Sequence, residues 1–263
     1  MKTLRLWFVL LWIMAFLWPT IAAAGDAKNL LLVGQSRDNH PPGTHEYMAG
    51  VDRLAKWLAP TPSLTITVAK ADDPWTDGPA AIEQADAVLL FVSEGARWLG
   101  AEPRRYEAFT RLAARGGGLA ALHWALGTRD AEPIASFVKL FGGCHGGPDR
   151  KYQVIETLLR VSEHPITTGI GDFSIRDEFY YRLKFPAHTT GLHPLLTATI
   201  DEEPHTVAWA LERPDGGRSF GFTGLHFDDN WQRPEYQRLV TQAVRWTLKF
   251  PPDSPDEVGR KPR

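Results

Sequence analysis

The chain has 263 residues, and its composition excludes several classes of protein. Hydrophobic residues make up 43% of the sequence, which is enough to bury a sizeable core, so the chain is predicted to fold as a globular protein. The 29 basic and 31 acidic residues give a net charge of −2. The chain is mildly acidic and contains no cluster of basic residues, so we expect no nucleic-acid partner.

The first 24 residues have the pattern of an export signal. A basic start at Lys2 and Arg5 precedes the apolar run 6–17, and three alanines at 22–24 offer small residues for cleavage. We therefore expect a periplasmic or secreted protein that leaves the membrane after cleavage. An uncleaved anchor is the alternative, although the run is short for a span of about 20 residues.

The rest of the chain is predicted to form one domain with a short tail. Residues 25–250 contain neither an internal repeat nor an interdomain linker, whereas residues 251–263 are proline-rich and charged, which is typical of disorder. Cys144 is the only cysteine and cannot form an internal disulfide. We expect it to be buried and structural, and the sequence indicates no particular oligomeric state.

The first half of the domain alternates apolar runs with amphipathic segments. Continuous apolar strands separated by helices indicate a parallel sheet covered on both faces. The predicted strands are 29–33, 64–68, 87–92 and 118–122, and the predicted helices are 46–58, 80–85 and 103–115.

The second half is less regular. Apolar runs at 207–211 and 218–223 flank the turn residues Pro214-Asp215-Gly216-Gly217, which predicts a β-hairpin. Segments 131–141 and 236–248 are predicted helices, and the alternation over 152–161 predicts a strand.

Polar residues with chemical potential cluster in four predicted loops. His123 directly follows the predicted strand 118–122, and α/β folds bind ligands beyond the carboxyl ends of such strands. A hydrogen-bonded packing role is the alternative for any single histidine. The four loops begin at His123, Gly142, Asp177 and Gly224.

These loops supply a candidate metal site. Imidazole and carboxylate ligands suit Zn²⁺ or a similar divalent ion with one position left open, and such an ion can polarise a carbonyl or lower the pKa of bound water. The predicted ligands are His123, His145, Glu178 and His226.

The same loops allow acid–base chemistry without a metal. Glu178 would remove a proton beside a sugar carbonyl, His123 would steady the enolate, and Tyr180 would donate a hydrogen bond to the same oxygen. The structural alternative for Glu178 is an ion pair with Arg176 or Arg182. We expect no nucleotide cofactor.

Aromatic residues near these loops are candidates for sugar contacts. Aromatic faces pack against the C–H surfaces of sugar rings, and Trp124 and Trp231 lie near the proposed site in sequence. His45, just before the first predicted helix, is a further candidate for substrate binding. Core packing is the alternative for the tryptophans, and helix capping for His45.

The chain carries five short segments in the order 116–123, 141–145, 164–167, 177–180 and 224–226. Together they resemble the successive motifs of the ThuA-like (trehalose utilisation) family. The resemblance implies the fold of class I glutamine amidotransferases, a flavodoxin-like parallel sheet with an elbow after a central strand. Those enzymes carry a cysteine nucleophile at the elbow, whereas this chain has His123 there and Cys144 elsewhere, which disfavours thiol chemistry.

The resemblance also implies a substrate class, namely trehalose, related disaccharides and sugars oxidised to keto forms. We therefore expect an enzyme of carbohydrate catabolism that acts on a disaccharide, glycoside or keto-sugar by metal-assisted or acid–base chemistry. The alternative is a non-catalytic carbohydrate-binding or accessory protein that uses the same crevice. An esterase or amidase has less support because no Gly-x-Ser-x-Gly elbow is present.

Overall fold

A computed structural model describes residues 26–188 and 190–251. The predicted export signal and residues 252–263 of the predicted tail lie outside this range. The strands are β1 (Lys28–Gly34), β2 (Leu64–Lys70), β3 (Ala87–Phe91), β4 (Gly118–Leu122), β5 (Gly127–Thr128), β6 (His145–Gly146), β7 (Lys151–Val161), β8 (Phe173–Tyr181), β9 (Leu192–Ile200), β10 (Glu203–Glu212) and β11 (Arg218–Phe222). The helices are α1 (Tyr47–Leu58), α2 (Gly78–Gln84), α3 (Gly95–Ala101), α4 (Pro103–Ala114), α5 (Ile134–Phe141) and α6 (Pro234–Thr247).

A nine-stranded sheet in the order β2-β1-β3-β4-β11-β10-β9-β7-β8 forms the centre of the molecule. The first five strands in this order are parallel, and the inner strands β1, β3 and β4 have buried apolar residues on both faces. Along β1, Leu30 and Leu32 pack into one hydrophobic cluster, while Leu31 and Val33 pack into another on the opposite face. This two-sided burial, produced by alternating side-chain directions, confirms the predicted flavodoxin-like α/β fold.

An antiparallel extension continues the sheet from β11. The predicted hairpin is present, because β10 and β11 pair antiparallel. The extension is larger than one hairpin, since β9, β7 and β8 add to it in antiparallel register. β5 and β6 form a separate two-stranded sheet.

One predicted loop is a strand. Residues 177–181 were expected to form a loop, but they are the last five residues of β8. The sequence pattern does not indicate this strand because Asp177 places a carboxylate at a fully buried position. There the carboxylate accepts hydrogen bonds from the backbone N–H groups of Leu225 and His226. The polar partners that make this burial tolerable come from a distant segment and leave no local pattern.

No helix within residues 26–188 and 190–251 is both long and apolar enough to cross a bilayer.

Candidate functional site

Three turns at one edge of the parallel sheet carry histidines in an unusual backbone setting. His123 directly follows β4 and has a φ of 49°, in the left-handed region. His45, just before α1, has a φ of 52°, and Leu225, next to His226, has a φ of 76°. Such conformations cost about 1–3 kcal/mol each for non-glycine residues and cluster at functional sites. The surrounding fold therefore imposes the positions of these side chains.

A close approach of helix α3 supports the turn at His123. A Cβ atom on Gly95 would lie 2.1 Å from the carbonyl oxygen of Ala125, which is far inside contact distance. Only glycine therefore lets the start of α3 pack on the turn that presents His123.

The three imidazoles converge on one point. Nε2 of His45 lies 3.0 Å from Nε2 of His123, and Nδ1 of His226 lies 3.1 Å from each of these atoms. Glu178 Oε1 is 3.8 Å from His123 Nε2 and 3.6 Å from His226 Nδ1. The four side chains are buried, and their ligand atoms lie within 4.8 Å of one another.

Hydrogen bonds on the outer side of the cluster determine which nitrogens carry protons. His123 Nδ1 lies 2.8 Å from the carbonyl oxygen of Thr223, and since a carbonyl only accepts, this nitrogen holds the proton. His45 Nδ1 lies 3.0 Å from the carboxylate of Asp38 and holds its proton for the same reason. The inner Nε2 atoms of both neutral rings are therefore lone-pair acceptors that face each other.

Burial keeps the imidazoles neutral. It lowers the pKa of His45, lowers the pKa of His123 well below its ordinary value, and lowers the pKa of His226 to about 4. Neutral imidazole is the form that binds a metal ion. Burial has the opposite effect on the carboxyl group of Glu178, whose pKa rises to about 7 with a further contribution from the charge of Asp177.

The arrangement fits a divalent cation. Nitrogens that share a tetrahedral Zn²⁺ at ~2.05 Å lie about 3.3 Å apart, close to the 3.0–3.1 Å found between the imidazoles. An ion would also bind the Nε2 lone pairs of His45 and His123, which face each other and cannot form a hydrogen bond between them. The structure thus contains a buried cluster that could hold a metal, made by His45, His123, His226 and Glu178.

The cluster differs from the predicted ligand set at one position, because His45 occupies the place expected for His145. β6 instead directs His145 against Tyr180, with ring centroids 4.2 Å apart and an interplanar angle of 11°. His45 was expected to contact substrate, and its position among the candidate metal ligands was not predicted. Both histidines border the same crevice, so sequence order could not decide between them.

Two buried or half-buried carboxylates support the cluster from outside. Asp38 accepts hydrogen bonds from His45 Nδ1 and, at 2.7 Å, from the hydroxyl of Tyr47. Burial alone would raise the pKa of Asp38, but the bonds from these two partners hold it well below its ordinary value. A carboxylate behind a ligating histidine fixes the ring orientation and increases its basicity. Sequence reasoning missed Asp38, although its place in the loop after β1 is a signal for function.

Asp177 supports the other side of the cluster. Its carboxylate accepts hydrogen bonds from the backbone N–H groups of Leu225 and His226 at 2.7 and 3.2 Å, and from the hydroxyl of Tyr236 at 3.1 Å. Burial raises the pKa of Asp177 to about 6 despite these bonds. Asp177 therefore ties the turn that carries His226 to the strand that carries Glu178.

A crevice of about 370 Å³ opens above the cluster. Tyr180 lines it and places its hydroxyl 3.1 Å from His123 Nε2. A larger cavity of about 530 Å³, beside Trp75 and Arg105, contains none of the clustered groups, so the smaller crevice is the better candidate for chemistry. Its walls are formed by His40, His45, Trp124, Arg129, His145, Arg150, Tyr152, Glu178, Tyr180 and His226.

Six of the eight predicted site residues line this crevice. His123 is fully buried within the cluster. Trp231 does not line the crevice. Its side chain is 1% exposed and belongs to the hydrophobic core, where its ring lies 5.4 Å from Phe91 and 5.7 Å from Trp57. These apolar neighbours offer the indole more buried area than the polar crevice does. Trp124, by contrast, lines the crevice, with only 6% of its surface exposed.

Cys144 is buried, as predicted. Burial raises the pKa of its thiol to about 12, so the thiolate needed for nucleophilic attack is scarce at neutral pH. Fold and site together define a flavodoxin-like α/β protein whose strand-end turn presents a histidine in place of a reactive thiol.

The chain belongs to the ThuA family, described as trehalose utilisation, which it matches over residues 32–247. This match confirms the resemblance seen in the sequence motifs. No curated protein matches the sequence.

Solved structures share the fold at low sequence identity. A ThuA-like protein from Bacteroides uniformis has a TM-score of 0.65 at 15% identity, covering 88% of this chain and 95% of its own. A cytoplasmic protein from Salmonella typhimurium has a TM-score of 0.54 at 16% identity, covering 84% and 98%. A β-galactosidase from Bacillus circulans has a TM-score of 0.55 at 11% identity, covering 89% of this chain and 33% of the galactosidase. At these identities the likeness concerns the fold alone.

Proposed function

We propose that this chain is an exported enzyme of carbohydrate catabolism that acts on a glycoside or keto-sugar with the help of a divalent ion. Membership of the ThuA family supports a carbohydrate-related role in general. The observation that carries the enzymatic proposal is the contact between lone-pair nitrogens of His45 and His123 at 3.0 Å, beside an acidic group at the floor of a crevice. The export part rests on the basic and apolar start of the sequence.

His45, His123 and His226 would hold the ion, with Zn²⁺ favoured by three imidazole ligands. When bound, the ion supplies Lewis acidity, which polarises a substrate carbonyl or lowers the pKa of a water molecule. Asp38 keeps His45 oriented toward the shared point, and the carbonyl oxygen of Thr223 does the same for His123. The protein thereby orients its ligands before substrate arrives.

Glu178 is the proposed general acid and base. In the metal-free protein, burial and the neighbouring charge of Asp177 raise the pKa of its carboxyl group to about 7. A divalent ion held by the three histidines would lower this pKa and favour the carboxylate, which is the form that accepts a proton. With a keto-sugar in the crevice, Glu178 takes the proton from the carbon next to the carbonyl. The negative charge that develops on the carbonyl oxygen is stabilised by a hydrogen bond that the Tyr180 hydroxyl donates.

The upper crevice supplies surfaces for a sugar ring. Trp124 and Tyr152 both line it, and the Tyr152 side chain is 61% exposed. Aromatic faces of this kind pack against sugar C–H groups while hydroxyls reach polar neighbours. A volume of about 370 Å³ lies within the usual range for small-molecule sites.

The test is product formation from a panel of disaccharides, glycosides and their keto derivatives by the zinc-loaded protein. We expect turnover of at least one keto-sugar or glycoside, a loss of at least about 100-fold in Glu178→Gln, and normal turnover in the exposed control His193→Ala. Equal turnover by Glu178→Gln and the parent would contradict the proposed role of Glu178. Tight binding measured by calorimetry, without product over time, would favour a non-catalytic carbohydrate-binding protein instead.

A further inference from the structure

The upper wall of the crevice contains polar groups that the proposed chemistry does not use. Arg129, His145 and Arg150 line it, and we refer to these three residues as the basic wall. None of the three belongs to the histidine cluster, and two of them come from β6 and the segment after it rather than from the parallel strand ends. The wall therefore requires its own explanation.

His145 places a buried imidazole at the wall of the crevice. Its side chain is 1% exposed, and its Nδ1 atom is buried without a partner among the described residues. The ring is held in place by stacking on Tyr180 and by contact with Trp124, at a centroid distance of 5.8 Å. A rigid polar group that is left unsatisfied in a cavity wall points to a ligand that completes its hydrogen bonds.

Arg150 adds a positive charge that no carboxylate of the described chain neutralises within ion-pair distance. Its guanidinium donates one long bond, of 3.3 Å, to the carbonyl oxygen of Gly147. The nearest carboxylate in sequence, Asp149, is paired with Lys184 at 2.5 Å. Arg129, in contrast, is ion-paired with Glu94. Arg150 is thus the group of the wall with unused donors and unused charge.

We propose that the basic wall is a subsite for an anionic group on the sugar, a carboxylate or a phosphate, bound by Arg150 and by a ring N–H of His145. This inference rests on the proposed function, because it assigns a substrate class to the same crevice. A guanidinium binds planar oxyanions through two parallel hydrogen bonds, and the neutral imidazole contributes a donor without further charge. Tyr152 would pack against the ring that carries the anion.

The experiment compares matched sugars by calorimetry on the whole metal-loaded protein. Each set contains a neutral sugar, the corresponding uronic acid and the corresponding 6-phosphate, for glucose and for galactose. We expect at least one anionic member to bind at least about tenfold tighter than its neutral partner, because charge-assisted hydrogen bonds to arginine are the strong ones. The two anionic members distinguish carboxylate from phosphate.

Variants assign the preference to the wall. Arg150→Gln removes the charge and is expected to abolish the preference for the anionic sugar. His145→Phe keeps an aromatic ring for stacking on Tyr180 but removes both nitrogens, and we expect it to weaken the anionic sugar several-fold. Arg160→Gln is the matched control, because Arg160 is exposed on β7 and paired with Asp172.

The outcomes separate this inference from the proposed function. Equal affinity for neutral and anionic sugars, with turnover intact, overturns the subsite and leaves the enzyme standing. A preference that survives in Arg150→Gln also overturns the subsite. Absence of binding and turnover with every sugar overturns both.

Discussion

The Nε2 atoms of His45 and His123 lie 3.0 Å apart, although each ring already donates its N–H to an acceptor on its outer side. Asp38 accepts the hydrogen bond from His45, and the carbonyl oxygen of Thr223 accepts that from His123. Two facing acceptors need a donor or a cation to satisfy their lone pairs, and a cation bound jointly with His226 Nδ1, 3.1 Å from both atoms, would satisfy them together. The left-handed turns place the imidazoles, and the carboxylates outside them fix the ring orientations. The fold thereby forms a candidate cation site at the crevice.

Asp38→Asn tests the carboxylate behind His45. The amide oxygen can still accept from Nδ1 of His45, but the negative charge that increases the basicity of the ring is lost. We expect zinc affinity to fall about 10–100-fold, measured by competition with a chelator. Asp172→Asn, at an exposed ion pair with Arg160, is the control and should bind zinc like the parent. Parent-like affinity in Asp38→Asn would remove Asp38 from the account.

Glu178 should make the stability of the metal-free protein depend on pH. Its pKa is raised from 4.5 to about 7, so the folded state holds the proton more tightly than the unfolded chain. The resulting stabilisation is complete below about pH 4.5 and is lost as the pH rises through 7. The difference between these two pKa values corresponds to about 3 kcal/mol of unfolding free energy.

Glu178→Gln isolates this effect, because histidines titrate in both proteins and cancel in the comparison. We expect the variant to become more stable relative to the parent as the pH rises from 5 to 8, in urea unfolding with a chelator present. A constant difference between the two proteins across this range would mean that Glu178 is not buried as a neutral acid.

Gly95→Ala tests how α3 supports the turn at His123. The new methyl group would lie 2.1 Å from the carbonyl oxygen of Ala125, so backbone must move. We expect a loss of about 2–4 kcal/mol in unfolding free energy together with weaker zinc binding. Gly171→Ala is the control, since a Cβ atom at that position would have no neighbour within 4 Å. A parent-like Gly95→Ala variant would refute the proposed support.

Tyr152 and Trp231 should behave in opposite ways. Tyr152→Ala removes an exposed crevice ring and should weaken sugar binding with a change in stability within about 0.5 kcal/mol. Trp231→Leu removes volume from the core and should cost about 2 kcal/mol or more while the folded fraction still binds sugar. Calorimetry and thermal unfolding measure both, and weaker sugar binding confined to Trp231→Leu would reverse their assigned roles.

The sequence predicted the parallel half of the fold well. Strands β1, β3 and β4 are buried on both faces, and continuous apolar runs mark such strands without any knowledge of their partners. β8 was missed because its buried Asp177 depends on backbone donors about 50 residues away. Burial of a charged group is decided by tertiary hydrogen bonds, and a local pattern cannot show it.

The site was predictable in kind but not in detail. Glycine-flanked turns and strand ends were expected to bring His123, Glu178 and His226 together, and the structure places these three side chains in one cluster. The choice between His45 and His145 depended on which way each ring turns, and stacking of His145 on Tyr180 decides this. Trp231 was placed near the site by sequence position, yet its neighbours Phe91 and Trp57 draw it into the core.

Metal analysis of the purified protein tests the central claim most directly. The protein is equilibrated with zinc, dialysed and analysed for metal per chain, beside His45→Ala, His123→Ala, His145→Phe and His193→Ala. We expect about one zinc per chain in the parent, its loss in His45→Ala and His123→Ala, and its retention in His145→Phe and His193→Ala. Substoichiometric metal in a folded parent, or loss in His145→Phe with retention in His45→Ala, would contradict the cation site described here.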